Sequence, residues 1–162
     1  MLCTVNRLRT DEHGKVRVNA AGALWRLGVS TKELIPHLKQ ALDDESAYAR
    51  VDAADMLLDM RVAPKEVVPT LEQAMDSGPS AIRERILDQL IERSPLSREF
   101  EPLLVTALGD SEWSIRMSAA MTLSMVEGGV SEEAVAALKA ATNDKSKVVR
   151  TAAQDTLNQL TP

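Results

Sequence analysis

An arginine returns at positions 17, 50, 83, 116 and 150, each directly after an apolar or alanine residue and seven residues before a leucine. The intervals are 33, 33, 33 and 34 residues, and the leucines are Leu24, Leu57, Leu90, Leu123 and Leu157. A period near 33 kept along the whole chain means a tandem of small units. Each is too thin to bury its own apolar face and needs its neighbours to complete a core. The composition agrees. Aromatic residues make up 2 % of the chain, with one Phe and one Tyr, while hydrophobic residues reach 44 %. Alanine and leucine carry the apolar content, which suits thin, closely packed helices.

Each unit holds two helical periodicities around a turn. The first is clearest in Glu33 to Leu42, with counterparts at Glu66 to Met75, Glu99 to Leu108 and Glu133 to Thr142. Leu34, Leu38, Ala41 and Leu42 follow i, i+4, i+7, i+8, a single stripe on a helix. Glu33, Glu66, Glu99 and Glu133 fall in the first turn, where negative charge meets the positive end of the helix dipole. Ser30 with Glu33 reads as a capping box, and Ser97 and Ser131 as caps of their own copies. Pro36, Pro69 and Pro102 come early enough to predict a slight bend and few lost hydrogen bonds; Ala136 takes that place in the last copy.

A polar turn follows, with Asp11, Asp44, Asp110 and Asp144 each six residues before its arginine; the third copy departs, reading Asp76-Ser77-Gly78-Pro79. The second helix then runs as in Val16 to Leu27, where Val16, Ala20, Leu24 and Leu27 form the expected buried stripe. Small pairs at Ala20-Ala21, Ala53-Ala54 and Ala119-Ala120 let neighbouring helices come close, whereas the third copy has Ile86-Leu87. The pattern predicts helices near 2–9, 15–27, 31–42, 47–60, 64–75, 80–93, 98–108, 113–126, 131–142 and 146–160. Gly128-Gly129 terminates a helix and supplies the extra residue of the longer interval.

The helix–turn–helix unit with early proline, a turn aspartate and Val-Arg-x-x-Ala-Ala-x-x-Leu opening the second helix resembles the HEAT repeats. The short unit is most similar to the HEAT-like repeats named after the phycobilisome lyases, and the resemblance covers essentially residues 1–162. It implies an all-α, right-handed α-solenoid of about five hairpins with a truncated first repeat, the second helices lining the concave side. The expected organisation is one repeat domain with units near 1–28, 29–61, 62–94, 95–128 and 129–162. A narrower likeness, carried by Trp113 to Ala120, Val148-Val149-Arg150 and Leu157 to Leu160, is to C-terminal helical extensions of bacterial sulfatase-type enzymes. The chain has no Cys/Ser-x-Pro-x-Arg nucleophile motif, so that likeness implies an accessory segment. Val5 and Leu8 fall on the columns of Leu38 and Ala41, which reads as a first helix cut partway and able to associate through its open edge. The polar last helix, with Gln154, Asp155, Asn158 and Gln159, reads as a terminal repeat.

Net charge is −5 with no block of like charge, which points away from nucleic acid and anionic membrane surfaces. No stretch approaches the roughly 20 apolar residues of a membrane span. The single cysteine, Cys3, leaves the compartment open: cytoplasmic by default, exported if the chain belongs to a sulfatase-type enzyme. His13 and His37 lack a metal-ligand partner at helical spacing, and Glu12-His13 reverses the order that iron-binding HEAT hydroxylases use. Cys3 has no close base, and there is no serine elbow and no phosphate loop. Asp43-Asp44 and Glu132-Glu133 belong to turns and helix starts. No catalytic residue, cofactor or metal is therefore expected.

Two surfaces remain. The ladder of Asp11, Arg17, Asp44, Arg50, Arg83, Asp110, Arg116, Asp144 and Arg150 reads as structural mortar, each guanidinium bridging a turn aspartate and backbone carbonyls of adjacent units. On the second helices the outward columns carry Val18, Val51, Glu84, Met117 and Thr151; then Gly22, Asp55, Asp88, Met121 and Asp155; then Arg26, Asp59, Glu92, Met125 and Gln159. Trp25 lies beside them, and Trp113 is expected to pack locally. An acidic stretch (Asp55, Asp59, Asp88, Glu92) followed by Met117, Met121 and Met125 suits a basic amphipathic segment. The leading expectation is a non-catalytic scaffold binding a protein or a domain of its own parent chain. The alternatives are an accessory domain of a sulfatase-type enzyme or a bilin-lyase-like chaperone, which would want cations where this face offers carboxylates.

Overall fold

The computed structural model describes residues 13–160. Among these, the regular structure is nine α-helices, two 3₁₀ turns and one isolated bridge pair, with no strand. The helices are α1 (Gly14–Arg26), α2 (Thr31–Ala41), α3 (Ala47–Asp59), α4 (Val68–Ser77), α5 (Ser80–Glu92), α6 (Glu101–Ala107), α7 (Trp113–Leu123), α8 (Glu132–Ala141) and α9 (Lys147–Leu160). The expected helix at 2–9, with Cys3, Val5 and Leu8, lies outside the described residues, as do Asp11 and Glu12. Two compact units divide the chain, Met1–Ala74 and Met75–Pro162.

In the first unit α2 packs against α1 and α3, and α1 lies beside α3. The predicted stripe of α2 is the buried one, with Leu34, Leu38 and Ala41 essentially inaccessible. Ala20-Ala21 and Ala53-Ala54 are buried as well, so the second helices meet along small side chains. Val18 and Val51, expected to face outward, are instead core residues. Leu27, expected in the stripe, is 60 % exposed. It is the C-cap of α1, where the chain has already left the helix for left-handed Gly28 at φ +85°. The Val29 amide then donates to the Leu24 carbonyl at 3.0 Å, closing the helix end. One repeat later Arg61 takes the same left-handed place, and Val62 donates to Leu57 at 2.9 Å.

In the second unit α7 is central, contacting α5, α6 and α9, while α8 packs on α6 and α9. Ile82, Ile86, Leu87 and Leu90 of α5, with Ile115, Ala119, Ala120 and Leu123 of α7, supply the buried face. Two expected first helices do not start as α-helix. Pro64–Glu66 and Arg98–Phe100 are 3₁₀ turns preceding α4 and α6. Pro69 and Pro102, the second residues of those helices, have no amide to donate to the carbonyls of Lys65 and Arg98, so the first turn tightens. α2 carries Pro36 without such a break.

The caps also differ in detail. Ser131 accepts from the Ala134 amide at 3.2 Å and Ser97 from the Glu99 amide at 3.4 Å. Ser30 takes the Lys32 amide at 3.3 Å, while the Glu33 amide goes to the Ser30 carbonyl, so the reciprocal box is not formed. α7 ends at Leu123, three residues short of the predicted end. There the chain pairs with the segment after α5: Leu96 donates to the Met125 carbonyl and Glu127 to the Leu96 carbonyl, both at 2.8 Å. Non-local pairing has pulled Val126 out of the helix and into the core.

Candidate interaction surface

The turns set the register of the second helices. Each turn aspartate divides its two oxygens. One oxygen accepts the amide two residues ahead: Ser46 to Asp44 at 2.9 Å, Glu112 to Asp110 at 2.8 Å, Ser146 to Asp144 at 2.7 Å. The carboxylate also receives the arginine of the preceding repeat. Arg17 pairs with Asp44. Arg83 Nε donates to Asp110 at 2.6 Å, and Arg116 Nε to Asp144 at 2.7 Å, each with a second bond from Nη2.

The remaining guanidinium nitrogen holds the arginine's own turn. Nη1 of Arg50, Arg116 and Arg150 donates to the carbonyls of Asp44, Asp110 and Asp144 at 2.7, 2.8 and 2.8 Å. Arg83 Nη1 takes Gly78 at 2.6 Å in the turn that lacks the aspartate. In that third copy Ser77 stands at the carboxylate's sequence register, and Arg50 Nε is buried with no hydrogen-bond partner. Asp11 lies outside the described residues.

The electrostatics follow the geometry. The Arg116 hydrogen bonds hold the Asp144 carboxyl below its ordinary range against the opposing effect of burial. Burial pushes Asp110 up, but the Arg83 fork and the Glu112 amide outweigh it and leave that carboxyl lowered as well. The same contacts raise Arg83 and Arg116. These groups are locked in charged pairs.

The second surface is a groove of about 750 Å³ in the second unit. α7 contributes Met117 and Met121, with Met125 just beyond its C-cap, and α9 contributes Val148, Thr151, Asp155 and Gln159. All three methionines named from sequence thus converge on one cleft, although Met125 is not helical. Met121 and Val148 are exposed, at 47 % and 46 %, and both line the groove. Thr156 stabilises the floor, donating to the Ala120 carbonyl at 2.8 Å and so tying α9 to α7.

α5 packs on the other side of α7, and Ser114 donates to Glu84 at 3.0 Å, fixing the register between them. Asp88 and Glu92, one and two turns beyond Glu84, are exposed in the columns of Met121 and Met125. In the first unit, Asp59 on α3 is exposed while Asp55 and Trp25 are half-buried. Trp113, expected to pack locally, is half exposed at the first position of α7. Sequence reasoning missed Lys147 and Val148 as groove residues. Val148 and Val149 are adjacent valines, and the step of ~100° between helix neighbours buries one and exposes the other.

Among the described residues, no cluster of three or more His, Cys, Asp or Glu could hold a metal ion. Nor is any helix among them long and apolar enough to cross a membrane.

Helical hairpins repeating at one period, clasped turn to turn by arginine and aspartate, define an all-α helical-repeat protein of the α-solenoid class. A family model of the HEAT repeats matches residues 4–91 and 68–158, and the chain belongs to that family. The match is to HEAT repeats at large, and does not single out the phycobilisome-lyase type or a sulfatase extension. No curated protein matches the chain.

Proposed function

We propose that this chain is a non-catalytic scaffold that binds a protein partner through its second-helix face, and that the partner presents a basic amphipathic segment. The observation that carries the reading is the α7–α9 groove, apolar along its methionine wall, with Asp88 and Glu92 exposed at the same register of the neighbouring helix α5. Lys147 to Gln159 spans about 18 Å of helix, enough for roughly three turns of a docked helix with its apolar residues in the cleft. Methionine walls adapt to varied apolar shapes, and the carboxylates favour lysine or arginine on the partner's flank.

The test uses two synthetic helical peptides of equal length with the same leucine stripe, one flanked by lysines and one by glutamates. The lysine peptide binds the chain more tightly. Asp88→Lys with Glu92→Lys reduces that preference by about tenfold, and Met121→Asp weakens both peptides. Equal binding of the two peptides, untouched by either variant, would refute the assignment.

A further inference from the structure

The groove gathers three thioethers, one exposed and two partly so, while the same chain seals Met60 and Met75 and leaves Met56 half-buried. Met121 is 47 % exposed and Met117 and Met125 are partly exposed, whereas Met60 and Met75 are at 8 % and 3 %. Thioether oxidation follows access to the sulfur lone pair. We infer that Met117, Met121 and Met125 form a modification site for hydroperoxides, and that their sulfoxides convert the groove from an apolar surface into a polar one.

In the reaction a sulfur lone pair attacks the distal peroxide oxygen. An S–O bond forms, the O–O bond breaks, and the proton of the attacked oxygen passes to the departing oxygen, which leaves as water when the peroxide is hydrogen peroxide. The sulfur is oxidised by two electrons and the peroxide reduced by two. Each sulfoxide puts a hydrogen-bond acceptor on a wall whose affinity for a leucine stripe depends on having none. The loss of peptide binding rests on the function proposed above; the order of oxidation does not.

Tryptic cleavage makes the order readable. Met117–Lys139 contains the three groove methionines and no others. Met60 lies in Val51–Arg61 and Met75 in Glu66–Arg83, with Met56 distinguished from Met60 by fragmentation. On treating the folded chain with hydrogen peroxide and digesting it, the groove peptide gains one to three oxygens about fivefold faster than Met60 or Met75 do. Oxidised chain then binds the lysine-flanked leucine peptide about tenfold more weakly. Met117→Leu, Met121→Leu and Met125→Leu combined keeps the apolar wall, and its binding survives peroxide.

Groove sulfurs that oxidise no faster than Met60 and Met75 would overturn the modification site, whatever the peptide does. Unchanged peptide binding after full groove oxidation would overturn the conversion to a polar surface. If the untreated chain fails to bind the peptide, the proposed function falls. The modification site is then judged by the oxidation order, and the polarity change by whether an apolar dye bound to the groove is released on oxidation in the parent but not in the triple leucine variant.

Discussion

Arg116 shows what one residue does in this architecture. Its side chain is 5 % exposed, it grips Asp144 with two nitrogens, and its third holds the carbonyls of Asp110 and Ser111. Removing it leaves a half-buried carboxylate with only the Ser146 amide as partner and two turns unfastened. Arg116→Ala should therefore lower stability by about 3 kcal/mol in denaturant unfolding. Arg17→Ala should cost less, because Arg17 is 26 % exposed and water can partly replace it. Asp144 contributes to the acid limb, because its carboxyl sits below the ordinary aspartate value of 3.8. A depressed folded value means stability that is fully present above 3.8 and lost as pH falls past it through the folded value. Melting curves of the parent and Asp144→Asn should differ most at neutral pH and converge as pH drops through that window.

Two glycines separate close approach from spare room within α1. A Cβ on Gly14 would lie 2.0–2.5 Å from the Asp44 carboxylate, which Arg17 already holds in place. A Cβ on Gly22 would meet only the flexible end of Met56, at 3.1 Å. Gly14→Ala is thus expected to lower the thermal midpoint, and Gly22→Ala to raise it through a helix-propensity gain of up to ~1 kcal/mol. Helix existence and order were legible in the sequence, because apolar spacing within one helix is a local property. Predicted ends fell within three residues of the observed ones except at the start of α4, Val68 against an expected 64, where a 3₁₀ turn precedes the helix. Some misses are local, such as the 3₁₀ starts beside Pro69 and Pro102 and the exposed Leu27 before Gly28; the others are non-local. Nothing in the residues around Val126 announces its pairing with Leu96, and the outward-looking column of Val18 and Val51 is buried in the core. The methionine side of the groove could be read from register, whereas Lys147 and Val148 needed the packing of α9 on α7.

For the whole molecule the consequence of repetition is local stability. In a repeat protein each hairpin interacts chiefly with its neighbours, so damage should stay near its origin. Amide exchange in Arg116→Ala should rise most in α7, α8 and α9, with smaller changes in α1 to α3; uniform loss of protection would point to a single cooperative block. The rungs also bear on how such a chain can change length. Every aspartate turn brings both an acceptor for the arginine behind it and a carbonyl for its own, so a copied hairpin arrives already fitted with its fastener. A chain held this way can grow or shrink by whole repeats without redesigning a seam.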